Sequence, residues 1–391
     1  MKSVPAPLYT TQYGAAYVGN AMDLLKHVPD ESVDLVLTSP PFALQRQKEY
    51  GNVDQEQYVD WLLGFCTEIK RVLRNDGSFV LDLGGAYRKG RPVRSLYNYR
   101  VLIKMCDELG WNLAEEFFWF NPSKLPSPIE WVNKRKIRVK DAVNTIWWFS
   151  KTDFPKADIR RVLVPYSDRM KVLLQNSEKY YKPKKRPSGH EISKGFGKDN
   201  GGAIPPNLLE IPNTESNSQY LKYCKMLGIE GHPARFPQIL PEFFIQFLTE
   251  PGDCVLDIFA GSNTTGAAAE NRERRWIAFE VERAYLAAST FRFIDNANEQ
   301  SIKSLYGELI AEDPDKVVEL SERAFEYRTF LSRQIEEQNG IEEQNETNIL
   351  IEQLSVQEPI RSQQGVSKKR QPIKASPETR MEHNDLLETL W

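Results

Sequence analysis

The stretch Val33-Asp34-Leu35-Val36-Leu37-Thr38-Ser39-Pro40-Pro41-Phe42 indicates the fold class of this chain. Its first half is a near-continuous apolar run, which predicts a buried strand of a parallel sheet. Because prolines cannot continue a strand, the chain leaves the sheet at its carboxyl edge, where open α/β sheets bind ligands. Backbone carbonyls, the Ser39 hydroxyl and the Phe42 ring would there form a pocket for a planar ring bearing an amino group. In isolation the stretch is more typical of a simple proline turn than of a binding pocket. Two later stretches of the sequence favour the pocket.

Length and composition limit the possible classes of protein. The 391 residues can form one large α/β domain with an insertion, or two domains. No apolar run is long enough to span a membrane and the amino terminus lacks a signal-peptide core, so we expect a cytoplasmic protein with no membrane partner. The 4 cysteines and 4 histidines show no ligand spacing, which predicts reduced thiols and no metal site. A net charge of −3 does not by itself indicate a nucleic-acid partner.

The first of the two later stretches is Gly77-Ser78-Phe79-Val80-Leu81-Asp82-Leu83-Gly84-Gly85. Helical spacing predicts a helix over residues 58–73, and Asn75-Asp76-Gly77 predicts a turn before this second buried strand. Asp82 is the unusual residue, because a carboxylate in an apolar strand must be paired or have a chemical use. Pairing with loop amides and a catalytic role are both open for it.

The second stretch is Asp253-Cys254-Val255-Leu256-Asp257-Ile258-Phe259-Ala260-Gly261-Ser262-Asn263-Thr264-Thr265-Gly266, which predicts a strand, a glycine turn and a helix start. It lacks the spaced glycines of the dinucleotide fingerprint, so Asp257 and the Gly261 turn suit a cofactor with a cationic amino group and no phosphates. The next strand ends at Glu280, an acid placed to accept both ribose hydroxyls. Asp23, near the start of an earlier helix, either reaches the cofactor or stabilises the helix start.

Two basic segments are candidates for DNA contact. The first interrupts an aromatic-rich core between two predicted strands, and the second lies in a loop-rich insertion between Pro165 and Pro237. Such an insertion suits a module that lies in a DNA groove and reads base edges. A solvated charged face and a disordered linker are the alternatives. The candidate DNA-binding residues are Lys134, Arg135, Lys136, Arg138, Lys184, Lys185 and Arg186.

Thr38-Ser39-Pro40-Pro41-Phe42, followed later by the Asp257–Gly261 stretch, resembles the S-adenosylmethionine-dependent DNA methyltransferases that modify exocyclic amines. The order is that of their β-type subgroup, in which the catalytic motif precedes the target-recognition region and the cofactor motif comes last. Ser39 is typical of cytosine-N4 enzymes, whereas adenine-N6 enzymes usually carry Asp or Asn there. The resemblance implies a Rossmann-like class I α/β fold with a mostly parallel sheet, helices on both faces, permuted motif order and a loop-rich target-recognition insertion.

The resemblance extends from about Tyr13 to Phe293 and implies how the chain is divided. It implies a catalytic half at residues 1–164, a target-recognition region at 165–231 and a cofactor-binding half at 232–300. Helices at 301–338 and a disordered tail at 339–391 are predicted from spacing and composition. Because the resemblance to one member includes the basic insertion, it implies the target of that member, CAGCTG with the inner cytosine methylated. We expect a monomer, since a palindromic site can be methylated one strand at a time.

The resemblance also implies a role for each candidate site residue. The catalytic set is Ser39, Pro40, Pro41, Phe42 and Asp82. Phe42 would stack on a flipped cytosine, Ser39 and the Pro40 carbonyl would accept hydrogen bonds from its amine, and Asp82 would polarise Ser39 or take the proton. For the cofactor S-adenosyl-L-methionine, the resemblance implies that Asp257, Phe259 and Gly261 hold the methionine part, Glu280 the ribose, and Phe236 and Pro237 the approach. Asp23 stays a candidate cofactor contact from its position alone, with the helix-start role as its alternative. The rival functions are adenine-N6 methylation, methylation of RNA or a small molecule, and DNA binding by a non-catalytic methyltransferase fold.

Overall fold

A mixed sheet of ten strands organises the described part of the chain, which in this computed structural model comprises residues 5–42, 57–176, 198–214, 218–295, 297–311 and 316–320. These residues belong to one compact unit within Met1–Glu337. The unit Gln338–Trp391, which contains the whole predicted tail at 339–391, lies outside the described residues. None of the described helices combines the length and apolarity that a bilayer crossing requires.

The strands and helices follow one another along the chain as an α/β protein. The strands are β1 (Tyr9–Thr10), β2 (Gly14–Val18), β3 (Val33–Thr38), β4 (Leu73–Leu83), β5 (Asn112–Phe120), β6 (Val143–Ser150), β7 (Leu208–Glu210), β8 (Cys254–Asp257), β9 (Arg275–Glu280) and β10 (Val318–Glu319). The described α-helices are α1 (Ala21–Leu25), α2 (Tyr58–Val72), α3 (Tyr97–Asp107), α4 (Asp168–Gln175), α5 (Gln219–Leu227), α6 (Ile239–Leu248), α7 (Thr264–Glu270), α8 (Arg283–Ser289) and α9 (Glu299–Ile310). In space the strand order is β10-β1-β2-β9-β8-β3-β4-β6-β5-β7, and the five strands from β2 to β4 are parallel. The predicted α/β class with a mostly parallel sheet is confirmed.

The central strands are buried on both faces because helices cover each side of the sheet. Along β3, Val36 packs into the core that contains α1, α2 and α3, whereas Leu35 and Leu37 pack into the core on the opposite face. Helices α6, α7 and α8 contribute to that second core. Because side chains alternate along a strand, every apolar residue of β3 meets one of the two cores, which explains its continuous apolar sequence.

The direction of chain progression reverses between β8 and β3, and this reversal fixes the position of the ligand crevice. From β8 the chain proceeds to β9 on one side, and from β3 it proceeds to β4 on the other. Helix α7 after β8 and helix α2 after β3 pack on opposite faces, so the loops at these two strand ends diverge. The Ser39–Phe42 motif and the Asp257 motif therefore flank one crevice.

The structure corrects the predicted boundary between α2 and β4. The sequence predicts a turn at Asn75-Asp76-Gly77, but β4 begins at Leu73, directly after the helix. The pairing of β4 with β3 shifts register between Leu73 and Ser78, so residues 74–77 form a bulge inside the strand. Glycine is required in this bulge, because a Cβ atom at position 77 would lie 2.9 Å from the Asp34 carbonyl oxygen.

The carboxyl-terminal part of the described chain also differs from the prediction. The sequence predicts helices over residues 301–338, and α9 occupies the start of this range, but Val318–Glu319 form strand β10. The Val318 N–H donates to the Leu8 carbonyl oxygen at 3.2 Å, and the Leu320 N–H donates to the Thr10 carbonyl oxygen at 2.9 Å. Pairing with β1, near the other end of the chain, forms this strand, so local spacing could not reveal it.

We expect Gly14→Ala to lower the free energy of unfolding by about 1–3 kcal/mol. Gly14 on β2 pairs with Trp276 on β9, and a Cβ atom at Gly14 would lie 2.1 Å from Trp276 Cδ2. The indole is 1% exposed and has no room to move aside. Chemical denaturation followed by circular dichroism measures the change.

Gly64→Ala is the matched control for this substitution. Nothing lies within 4 Å of a Cβ atom at Gly64, which is inside α2, so we expect alanine there to raise the free energy of unfolding by about 0.5–1 kcal/mol. Equal stability of Gly14→Ala and the wild type would contradict the close contact with Trp276.

Candidate active site

A cavity of about 460 Å³ opens at the carboxyl ends of β3, β8 and β9. A volume of this size suits a small-molecule ligand. Eight residues of the predicted catalytic and cofactor sets line it: Ser39, Pro40, Pro41, Phe42, Phe236, Phe259, Gly261 and Glu280. The fold therefore brings together, in one cavity, motifs that are far apart in the sequence.

Asp82 lies next to Ser39 because β4 is the neighbour of β3. Ser39 Oγ donates a hydrogen bond to Asp82 Oδ2 at 3.1 Å, and Asn144 Nδ2 donates to Asp82 Oδ1 at 3.2 Å. Burial raises the pKa of the Asp82 carboxyl group to about 6, although both hydrogen bonds act in the opposite direction. A carboxylate with this pKa is ionised at neutral pH and can accept a proton through Ser39.

The Phe42 ring forms a flat wall of the cavity because Gly84 leaves room for it. A Cβ atom at Gly84 would lie 2.5 Å from Phe42 Cε2. The buried Tyr97 hydroxyl donates a hydrogen bond to the Gly84 carbonyl oxygen and fixes this part of the backbone. The end of β4 therefore supports the ring as well as the Asp82 carboxylate.

Asp257 is buried and lies off the cavity wall. Its carboxylate accepts hydrogen bonds from Thr38 Oγ1 at 2.7 Å, from Thr265 Oγ1 at 2.6 Å and from the Phe259 backbone N–H at 3.1 Å. Burial raises the pKa of this carboxyl group, while the three hydrogen bonds favour its ionised form. These hydrogen bonds hold the turn that carries Phe259, and contact of Asp257 with the methionine part of the cofactor stays a prediction.

The turn after β8 is held against the end of β9 by Gly261 and Glu280. Gly261 has a φ of +52°, and its N–H donates to Glu280 Oε2 at 2.7 Å. A Cβ atom at Gly261 would lie 2.9 Å from His232 Cε1, so both conformation and close approach favour glycine. The Glu282 N–H donates to Glu280 Oε1 at 3.0 Å, and burial raises the pKa of this carboxyl group. An ionised carboxylate accepts about four hydrogen bonds, so Glu280 keeps capacity for a ligand hydroxyl.

Several residues of the site were not singled out by the sequence motifs. Trp61 and Phe65 on α2 line the cavity, with ring centroids 5.7 and 5.1 Å from that of Phe259. Their spacing predicts a buried helix face, and periodicity cannot distinguish a core from a ligand pocket. Asn144 is a polar residue at the start of an aromatic strand, and this is the same signal that identified Asp82. Arg235 lines the cavity from an irregular loop, where no pattern indicated it.

Besides Asp257, two residues predicted to contact the cofactor, Asp23 and Pro237, lie off the cavity wall. The Asp23 side chain is 72% exposed and accepts a hydrogen bond from Lys26 Nζ at 2.8 Å. Its neighbour Asn20, which caps α1, lines the cavity instead. Pro237 is buried beside Phe236, which does line it. Contact of Asp23 and Pro237 with the cofactor stays a prediction.

The first basic segment lies in the described chain between β5 and β6, whereas Lys184, Lys185 and Arg186 lie outside the described residues. Its exposed members are Lys134, Arg135, Lys136 and Arg138. Glu130 pairs with Lys134 at 3.3 Å and with Arg135 at 3.0 Å, so part of the positive charge is neutralised within the loop. Arg138 donates to the Pro92 carbonyl oxygen at 2.8 Å. Contact of these residues with DNA stays a prediction.

The cysteines do not contribute a reactive group to the site. All four are free thiols, and burial raises the pKa of Cys66 and raises that of Cys254 to about 12. Thiols with raised pKa values are poor nucleophiles at neutral pH. In the part of the chain that the structure describes, no group of three or more histidine, cysteine, aspartate or glutamate side chains is arranged to hold a metal ion.

Comparison with known proteins identifies relatives along most of the chain. A family model described as DNA methylase matches residues 33–291. The Type II methyltransferase M.PvuII of Proteus hauseri is 64% identical over 305 residues, which cover 78% of this chain and 91% of that protein. The solved structure of PvuII DNA methyltransferase (cytosine-N4-specific) is 54% identical with a TM-score of 0.66, and the match covers 81% of this chain and 98% of that one. The DNA adenine methyltransferase YhdJ of Escherichia coli is 26% identical over 297 residues, which cover 73% of this chain and 84% of that protein.

We expect Asp82→Asn to stabilise the fold at pH 8 and to have little effect on stability at pH 4. Burial places the folded-state pKa at about 6, above the unfolded value of about 4, so the folded state binds this proton more tightly. That stabilisation is present at low pH and is lost as the pH rises through 6. The neutral amide of Asp82→Asn does not titrate and so does not lose this stabilisation. The free energy of unfolding of the variant, relative to that of the wild type, should therefore increase by about 1–3 kcal/mol between pH 4 and pH 8.

Urea denaturation at the two pH values measures this gain. Asp60→Asn is the control, because the Asp60 side chain is 77% exposed and its removal relieves no burial cost. An equal effect of Asp82→Asn at both pH values would show that burial does not perturb this carboxyl group.

Proposed function

The chain belongs to the DNA methylase family, and we propose that it transfers a methyl group from S-adenosyl-L-methionine to the N4 amine of cytosine in duplex DNA. The observation that carries this proposal is the hydrogen bond between Ser39, on the cavity wall, and the buried Asp82 carboxylate. Methylation of an amine needs one group to orient the nitrogen and another to receive its proton, and this pair supplies both. The relative M.PvuII, whose solved structure is described as cytosine-N4-specific, supports the same target atom.

The residues around the cavity fit S-adenosyl-L-methionine, the methyl donor used by the DNA methylase family. Glu280 offers carboxylate acceptors for ribose hydroxyls, and the rings of Trp61 and Phe65, which lie against Phe259, offer an apolar site for adenine. At Gly261 the left-handed turn has no Cβ atom, so the backbone can lie close to a ligand. When bound, the cofactor supplies a methyl group activated by a sulfonium centre.

The target cytosine has to leave the duplex, because base pairing and stacking hide its amine. In our proposal its ring stacks on Phe42, and its N4 amine donates hydrogen bonds to Ser39 Oγ and the Pro40 carbonyl oxygen. Two acceptors in these positions favour a pyramidal nitrogen, whose lone pair is withdrawn from conjugation with the ring and becomes nucleophilic. Holding this nitrogen in line with the methyl group supplies much of the rate enhancement.

Asp82 is the proposed destination of the proton. Formation of the N4–methyl bond would accompany cleavage of the methyl–sulfur bond of the donor, which would leave as a neutral thioether. The nitrogen becomes positively charged and releases a proton to Ser39 Oγ. Ser39 passes its own proton to Asp82 Oδ2 along the 3.1 Å hydrogen bond. This route requires ionised Asp82, and its pKa of about 6 provides that form at neutral pH. The scheme involves no covalent bond between protein and base, so it needs no cysteine nucleophile.

Duplex DNA is the proposed macromolecular partner, with CAGCTG as its recognition sequence and the inner cytosine as its target. The 64% identity to M.PvuII over 78% of the chain supports this sequence. Exposed cations of the β5–β6 loop, such as Lys136, can contact phosphates, while residues 165–231 read base edges. We further propose that the protein acts as a cytoplasmic monomer in a restriction-modification system.

Incubation with labelled S-adenosyl-L-methionine and a CAGCTG duplex tests the proposed function. We expect N4-methylcytosine at the inner cytosine, identified by mass spectrometry of the nucleosides. A CACGTG duplex, which exchanges the central pair, is the control and should remain unmethylated. Methyladenine in the product would overturn the assignment of the base, and absence of transfer to the first duplex would overturn the assignment of the target.

The substitution Ser39→Ala tests the proposed role of the hydroxyl. We expect the single-turnover rate of methyl transfer to fall by about 100-fold or more, because both the hydrogen bond to N4 and the proton route are lost. Calorimetric titration should show unchanged affinity for S-adenosyl-L-methionine. Ser32→Ala is the control, since the Ser32 hydroxyl donates to the Pro29 carbonyl oxygen at 2.8 Å, away from the cavity. Full activity of Ser39→Ala would contradict the mechanism.

A further inference from the structure

Asn144 on β6 is a partner of the Asp82 carboxylate that lies outside the recognised motifs. Its Nδ2 donates to Asp82 Oδ1 at 3.2 Å, while Ser39 Oγ occupies Oδ2 at 3.1 Å. Strand β6 runs antiparallel to β4, and Ile146 is the residue directly opposite Asp82. Asn144, two residues away on the same face, therefore reaches the carboxylate diagonally across the ladder. The two donors engage different oxygens of one carboxylate.

The Asn144 carboxamide is confined on its other side. A Cβ atom at Gly84 would lie 3.1 Å from Asn144 Oδ1 and 2.5 Å from Phe42 Cε2, so the amide oxygen and the aromatic ring both pack against this glycine. The next residue on β6, Thr145, lies on the opposite face of the strand, and its hydroxyl donates to the Leu83 carbonyl oxygen at 2.7 Å without confining the Asn144 carboxamide. Asn144 therefore presents its N–H groups to Asp82 from a held position.

We propose that Asn144 is a positioning residue for methyl transfer. By donating to Oδ1 of Asp82, it directs Oδ2 towards Ser39 and stabilises the ionised carboxylate that receives the proton. Asn144 is absent from the described wall of the cavity, so it acts through Asp82 rather than on the base or the methyl donor. This inference rests on the proposed function, and specifically on the proton route through Ser39.

Among the described residues, few polar groups face Asp82, so the loss of one neutral hydrogen bond should change the pKa of its carboxyl group measurably. Burial raises the pKa of this carboxyl group, and three groups oppose the rise. They are the Ser39 hydroxyl after β3, the Asn144 amide on β6 and the Lys124 ammonium in the loop after β5. Its neighbours along β4, Leu81 and Leu83, carry no ionisable group. Removal of Asn144 leaves the buried carboxylate with one side-chain hydrogen-bond donor among the described residues, so its pKa has to rise.

Two substitutions that keep the branching of the side chain at Cγ test this role in the full-length protein. Asn144→Leu removes the donor, and Asn144→Asp keeps the shape but replaces the donor with a second acid. The single-turnover rate of methyl transfer to a CAGCTG duplex is measured from pH 5 to pH 9 with DNA and S-adenosyl-L-methionine saturating. We expect the acidic limb of the profile to move up by about one pH unit in Asn144→Leu and by more in Asn144→Asp.

Thr145→Val is the matched control, because it removes the neighbouring side-chain hydrogen bond, which ends on backbone and not on Asp82. Its acidic limb should coincide with that of the wild type. The role of Asn144 would be overturned if the acidic limb of a folded Asn144→Leu variant coincided with that of the wild type. It would also be overturned if Thr145→Val moved the acidic limb as far as Asn144→Leu does. If Asn144→Leu does not fold, Asn144→Asp decides by the same criterion.

Failure of the underlying mechanism gives a different result. If the wild type showed no acidic limb, or if Asp82→Asn transferred methyl groups at the wild-type rate, the proton route through Ser39 would be wrong. A different pattern would refute only the positioning role. In that pattern the wild type shows an acidic limb in its pH profile, Asp82→Asn abolishes it, and Asn144→Leu does not move it.

Discussion

The hydrogen bond between Thr38 and Asp257 connects the two strands on which the whole site depends. Thr38 is the last residue of β3, directly before Ser39, and Asp257 is the last residue of β8, directly before the turn that carries Phe259. The two side chains meet at 2.7 Å in a buried environment, where an unpaired carboxylate would be strongly unfavourable. The bond therefore fixes the distance between the cavity wall that carries Ser39 and the wall that carries Phe259, and the proposed in-line transfer tolerates little error in that distance.

Three buried acids, Asp82, Asp257 and Glu280, serve different purposes because different groups donate to them. Asp257 receives hydroxyl and backbone donors and holds a turn. Glu280 receives backbone N–H groups but still faces the cavity. Asp82 receives two side-chain donors, one of which faces the proposed substrate. Burial raises the pKa of all three, and this destabilising contribution is offset by the apolar cores on both faces of the sheet.

The elements that could be predicted from the sequence are those with a strong local signal. Strand β3 is recognisable because burial on both faces produces a continuous apolar run, and Asp82 is recognisable because an acid is rare in such a run. The hydrogen bond from Asn144 could not be predicted, because it depends on β6 pairing with β4 in addition to its sequential neighbour β5. Trp61 could not be assigned to the cavity for another reason, because its helical spacing fits a buried core as well as a ligand pocket. Asp257 holds the turn partly because it accepts a hydrogen bond from Thr38. Only the folded sheet brings these two residues together, so the sequence could not indicate this contact.

The separation of the two cavity walls along the chain has a consequence for biosynthesis. Thr38 and Asp257 are 219 positions apart, and Glu280 follows still later. As the polypeptide leaves the ribosome, β3 emerges long before β8, the strand that pairs with it. The cavity wall that carries Ser39 therefore has no opposite wall in a nascent chain until the segment through Glu280 has emerged and inserted into the middle of the sheet. A polypeptide that ends before Glu280 therefore lacks part of the cavity lining, and the cavity is complete only when the central sheet is complete.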